Sequence, residues 1–171
     1  KLTSSEVWLS SRSFWPSLSS EWDCVANMLL SRQSVDVMLL PLSPTSCEVR
    51  TSDRGRAVVS WDGARYAYRP VTGDPLGIGE RDDMSESDAF DATVGSSYPD
   101  SIVQIARISS CSRSGDMILS AAPDWDFRAR YEPIPHVSSH GALHREHMLV
   151  PLITNRPIQA PARRTVDVMA S

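Results

Sequence analysis

The residues best suited to chemistry crowd into one stretch, Ser138-Ser139-His140-Gly141-Ala142-Leu143-His144-Arg145-Glu146-His147, which runs on into Met148-Leu149-Val150-Pro151-Leu152-Ile153. All four histidines lie between His136 and His147. A neutral imidazole is a common ligand of zinc and related cations, and a glycine directly after it lets the backbone turn sharply behind the ring. His140-Gly141 therefore marks the position where a metal ligand would sit beside an apolar strand. His140, His144 and His147 also share one helical face, a second way to build a metal site from this window. The plainer expectation for His144 and His147 is structural: hydrogen bonds that pin the loop to the last strand. Asp124, Asp126 and Glu132 add carboxylates nearby, and Arg128 and Arg130 add positive charge, all of them read first as solvated or ion-paired groups.

Other patterns carry less. Gly73-Asp74-Pro75-Leu76-Gly77-Ile78-Gly79 has the glycines of a phosphate-binding loop but not the Lys-Ser/Thr that would follow them. Ser96-Ser97 and Ser138-Ser139 lack the elbow of a serine hydrolase. Trp8, Trp15, Trp22, Trp61 and Trp125 read as core or lid contacts rather than a base-stacking platform.

Composition sets the frame for these groups. The 171 residues are 41% hydrophobic and 22% charged, with a formal net charge of −4. That size suits one domain with a sizeable core, or a piece of a larger one. The acidic balance argues against general nucleic-acid binding. No apolar run is long enough to span a membrane as a helix. Cys24, Cys47 and Cys111 are scattered and odd in number, which points to thiols in a reducing, cytoplasmic setting.

The elements that must position the histidines follow from periodicity. Residues 17–34 place Leu18, Trp22, Val25, Ala26, Leu29 and Leu30 at helical spacing, with Ser19 or Ser20 as cap. Residues 35–40 form a short buried strand ended by Pro41, and polar loop follows to Asp53. Residues 56–61 and 65–69 alternate about Asp62-Gly63, a strong hairpin signal. Residues 71–83 read as an ordered loop, 85–92 as a helix capped by Ser85, 98–108 as another helix, and 116–121 as an apolar strand behind Gly115. A final buried strand is expected near residues 148–153, and 156–171 as a surface tail. Alternating helices and apolar strands favour an α/β fold.

From Tyr98 to Pro157 the chain resembles the alkaline phosphatase superfamily, most closely its type I phosphodiesterase/nucleotide pyrophosphatase branch. Arg113-Ser114-Gly115-Asp116-Met117-Ile118-Leu119-Ser120 is similar to that family's strand before its last active-site loop. His140-Gly141, then Met148-Leu149-Val150-Pro151-Leu152, matches the His-Gly pair and apolar segment that follow, and Tyr98-Pro99-Asp100-Ser101 fits the same layout. The resemblance implies a doubly wound α/β sheet, of which this chain is the C-terminal part, with residues 49–83 as a hairpin and loop insertion. It implies that His140 is the final protein ligand of a two-metal centre, zinc by family expectation. In such a centre a phosphate ester is displaced in line by an activated Thr or Ser, and the phospho-enzyme is then hydrolysed. Ser138, Ser139 and Glu146 are the candidates to orient the imidazole.

The chain departs from the family in what it lacks. There is no Asp-x-x-x-His, no Asp-His pair and no recognisable nucleophile, and the sequence opens Lys1-Leu2-Thr3 without an initiator Met. The expectation is a C-terminal segment of a metal-dependent phosphoesterase, a hydrolase of phosphodiesterase or phosphatase type that is inactive alone. The alternative is a non-catalytic binding or scaffold protein that keeps this part of the fold.

Overall fold

The apolar run from Val35 is buried on both sides, and the rest of the chain is arranged around it. The computed structural model describes residues 14–18, 20–127, 142–153, 155, 164, 165 and 167. Strand β1 (Val35–Ser43) turns Val37 and Leu39 toward one core and Met38 and Leu40 toward a second. Successive side chains of a strand point to opposite faces, so only a strand covered on both faces reads as a continuous apolar run.

Five more strands complete one sheet: β2 (Ser46–Arg50), β3 (Gly55–Trp61), β4 (Tyr66–Gly73), β5 (Arg81–Met84) and β6 (Ile118–Ala121). Their order is β5-β4-β3-β2-β1-β6, and every neighbouring pair is antiparallel. The described residues are thus a mixed α/β fold on an antiparallel meander. A parallel neighbour needs a crossover of a dozen or more residues. Residues 44–45, 51–54 and 62–65 can only turn back on themselves, so β1 to β4 must alternate in direction.

Helix α1 (Glu21–Leu30) covers one face. Ala26, Leu29 and Leu30 meet Met38 and Leu40 there, along with Trp15 from the 3-10 turn Trp15–Ser17 and Met117 and Leu119 at β6. Helices α2 (Glu86–Thr93) and α3 (Ser101–Ser110) cover the other. Ile102, Val103, Ile105 and Ala106 of α3 pack on Val49, Val59 and Tyr68. Burying each large aliphatic side chain is worth about 1.5–3 kcal/mol, so these two layers dominate stability. Ser85 caps α2 with a reciprocal box: its hydroxyl accepts from the Asp88 N–H while the Asp88 carboxylate accepts from the Ser85 N–H.

Several expectations need correcting. The polar stretch read as loop contains β2, and the ordered loop 71–83 holds the end of β4 and most of β5. The hairpin about Asp62-Gly63 forms as expected, but it lies inside the sheet between β2 and β5 rather than standing apart as an excursion. β1 runs through Pro41, which pairs with Cys47 just before the register shifts. The strand expected near residues 148–153 is absent: a helical turn, α4 (Arg145–Met148), is followed by Leu149–Ile153 in neither helix nor strand. The mixed α/β class expected from the sequence is found, with the described strands antiparallel throughout.

Candidate functional site

His140 and Gly141 lie outside the described residues, as do His136, Ser138, Ser139, Arg128, Arg130, Glu132 and Trp8. The segment that leaves them, Ala142–Met148, is described and is held at several points. The Leu143 N–H donates to the Ser120 hydroxyl at the end of β6 (3.0 Å), while the Leu143 side chain packs on the α2/α3 core. The Arg145 N–H donates to the Ser97 carbonyl at 2.8 Å. The Arg145 guanidinium donates to the carbonyls of Val94 (2.8 Å) and Ser96 (3.4 Å), at and just beyond the C-terminal end of α2. Unsatisfied carbonyls and the negative end of the helix dipole both favour a cation there.

The two described histidines shape this segment. His144 caps α4, its Nδ1 accepting from the Glu146 N–H at 3.5 Å. His147 Nδ1 accepts from the Ala142 N–H at 3.2 Å. Both rings thus bond within residues 142–147 rather than to a following strand. Glu146 contributes its N–H here and is otherwise exposed, and Asp124 and Asp126 are exposed.

The His144 ring also meets Tyr98 edge to face, with centroids 5.9 Å apart and an interplanar angle of 86°. Tyr98 opens a network that joins three parts of the chain. Its hydroxyl donates to both oxygens of Asp36, at 2.8 and 3.1 Å. Arg54 Nη2 donates to Asp36 Oδ1 at 2.7 Å, its Nε donates to the Pro75 carbonyl at 3.2 Å, and its guanidinium lies 5.5 Å over the Tyr98 ring. Asp36 stands where the β1–β6 register shifts between Val35 and Val37. Such irregularities re-aim a side chain.

Electrostatics make the network a brace. Burial raises the Tyr98 hydroxyl well above its ordinary range, and the adjacent Asp36 carboxylate raises it further. Burial alone would lower Arg54, but the bond to Asp36 and the surrounding negative charge outweigh it, so its pKa is raised. Tyr98 is therefore a fixed donor and Arg54 a fixed cation at neutral pH. A polar cleft of about 240 Å³ opens beside them, lined in part by Arg32, Gln33, Asp36, Ser52 and Asp53.

Sequence reading did not find Asp36 or Arg54 as partners of Tyr98. The available signal was a single carboxylate, Asp36, inside the apolar run Val35–Leu40. Such a group in a buried strand must find a donor. Among the described residues no group of three or more His, Cys, Asp or Glu is arranged to hold a metal ion. No protein-family model, curated protein or solved structure matches this chain.

Proposed function

We propose that this chain is the C-terminal segment of a metal-dependent phosphoesterase of the alkaline phosphatase superfamily, with His140 as one protein ligand of its metal centre. The support is the His140-Gly141 motif in its sequence setting, together with one observation. The residues leaving that motif are bonded to β6 through Leu143 and to the end of α2 and the turn after it through Arg145. Leu143 and Arg145 are thereby fixed to two elements of the fold, and fixed surroundings are what a metal site requires.

A divalent metal, zinc in the first instance, would polarise a phosphate ester and stabilise the charge developing on its oxygens. His140 would offer a neutral ring nitrogen. The described residues offer no further ligand group, so on this reading the remaining ligands and the nucleophile lie outside them. The substrate class is a phosphate ester. A cytoplasmic setting accompanies the reading, since no disulfide joins Cys24, Cys47 and Cys111. No helix among the described residues is long and apolar enough to cross a membrane.

The test compares the 171-residue chain with the longest natural polypeptide containing it, using bis(p-nitrophenyl) phosphate with and without Zn²⁺. The short chain is expected to show no metal-dependent hydrolysis. The long one should turn over, and His140→Ala should reduce that by at least about 100-fold, the upper end of what losing an outer-shell partner costs a metal site. Activity of the short chain that vanishes in His140→Ala would replace the segment reading with a local histidine site. A long polypeptide inert with every metal would leave the binding or scaffold reading.

A further inference from the structure

One side chain of the stretch expected to be a surface tail is sunk into the fold. The Arg164 guanidinium is only 13% exposed and bonds to carboxylates through all three of its nitrogens. Its Nε donates to Asp100 Oδ2 at 2.7 Å and its Nη2 to Asp100 Oδ1 at 2.6 Å, a two-pronged fork, while Nη1 donates to Glu86 Oε1. The central carbon of the group lies over the Phe90 ring, 5.2 Å from its centroid, where the π face attracts a cation. The Arg164 N–H donates to the Asp167 carboxylate (2.8 Å) and the Asp167 N–H to the Arg164 carbonyl (3.0 Å), a turn that presents the side chain.

The receiving groups are set by α2 and α3. Glu86 opens α2 and Phe90 follows one turn on, so the two share a face of that helix. Arg107 of α3 also donates to Glu86, at 2.8 Å. Asp100 precedes α3 with a left-handed backbone, φ +57°, and its carboxylate makes no capping bond to that helix. Oδ2 instead accepts from the Gln104 amide, one turn into α3, at 2.7 Å, and both oxygens meet Arg164. The Asp100 side chain is 6% exposed. A single amide does not offset the desolvation of a full charge, so a carboxylate buried this deeply requires a cation, and it requires one whether or not Arg164 supplies it. The geometry is selective as well. A planar guanidinium matches both carboxylate oxygens with parallel bonds, and a lysine ammonium cannot.

We propose that Asp100, Glu86 and Phe90 form a binding site for an arginine side chain of a second polypeptide, and that Arg164 is its built-in competitor. The segment carrying Arg164 is then an autoinhibitory plug. A tethered group competes at an effective concentration that is roughly millimolar for a short flexible linker, so a lone arginine in solution does not displace it. A partner enters when it also binds elsewhere on the chain, or when the C-terminal segment is drawn away.

The probe is Nα-acetyl-arginine amide, with Nα-acetyl-lysine amide as control, titrated into the 171-residue chain and followed by NMR at the Gln104 side-chain amide. Arg164→Ala should bind the arginine compound at least about 10-fold more tightly than the lysine compound, the effect of losing one bond between charged groups. Wild type should not respond over the range that saturates Arg164→Ala. Adding Glu86→Gln to Arg164→Ala should weaken binding of the arginine compound and narrow its lead over the lysine one. Should Arg164→Ala unfold, the arginine compound should restore the folded signal by mass action and the lysine compound should not. Equal binding of the two compounds, equal binding by wild type and Arg164→Ala, or no response at Gln104 and no restored folding would overturn the site.

Discussion

Asp36→Ala removes the acceptor at the centre of the brace, and its cost can be worked from the geometry. The wild-type carboxylate has a side chain only 9% exposed and accepts two contacts from Tyr98 and one from Arg54. Alanine leaves the Tyr98 hydroxyl, on a residue itself buried, without its partner. An orphaned buried donor costs about 1–3 kcal/mol. Arg54 has a side chain 36% exposed and keeps its bond to Pro75, so water can replace much of what it loses, about 0.5–1 kcal/mol. The sum is about 1.5–4 kcal/mol. Urea unfolding at pH 7 reads this as a fall in the midpoint with the slope unchanged. Tyr98→Phe alone should cost about 1–2 kcal/mol, since it removes the donor and its need for a partner together. Added to Asp36→Ala it should cost almost nothing, giving a coupling of about 1–2 kcal/mol. A loss below about 1 kcal/mol for Asp36→Ala, or strict additivity of the two changes, would refute the network as a source of stability.

Two further outcomes follow from other contacts. For Asp74, burial opposes ionisation, but the Tyr68 hydroxyl and the N–H groups of Gly79, Gly77 and Leu76 outweigh it and hold the carboxyl below its ordinary 3.8. Its folded pKa lies below its unfolded one, so its contribution is complete above pH 3.8 and is lost as pH falls through the folded value. Asp74→Asn should therefore cost more stability at pH 7 than at pH 2.5, and an equal cost by urea titration at both would refute the assignment. Gly55→Ala would set a Cβ 1.9 Å from the Thr72 carbonyl oxygen at φ +98°, whereas Gly63, at φ +100°, has open space around it. Thermal unfolding should show Gly55→Ala destabilised by at least about 3 kcal/mol and Gly63→Ala by about 1–2 kcal/mol, and equal losses would mean the ladder shifts to make room.

What the sequence made legible was whatever local chemistry decides. Trp22, Val25, Ala26 and Leu29 at helical spacing mark α1, Asp62-Gly63 marks the β3–β4 turn, and Ser85 with Asp88 marks the start of α2, because each signal acts within a few residues. β2 was missed because Ser46-Cys47-Glu48-Val49-Arg50 has only two buried side chains, Cys47 and Val49, among polar neighbours. That pattern resembles loop until strands on both sides hold it. β5 was missed for the same reason, with only Met84 buried. Residues 148–153 misled in the opposite sense: their apolarity reads as core, but nothing in the described fold covers them. Of the candidate site, His144 and His147 make local hydrogen bonds, not the bonds to a last strand that the sequence suggests. The Asp36–Arg54–Tyr98 brace joins residues from distant parts of the chain, and no local pattern encodes such a meeting.

The meander also sets the order in which entropy must be spent. From β1 to β5 each strand pairs with its sequence neighbour, so those loop closures are short. β6 must instead find β1 across the whole intervening chain, pairing Ala121 with Val35 and Ile118 with Leu39. The cost of closure rises with the logarithm of the span, about 0.6 kcal/mol per doubling, which makes this the dearest contact in the sheet. It becomes affordable once α2 and α3 have condensed the chain between them. The connectivity thus favours β6 as the late arrival in folding. Its arrival seats Met117 and Leu119 against the α1 core and brings Ser120 to Leu143, so the tie beside the histidine segment is completed by the same step that completes the sheet.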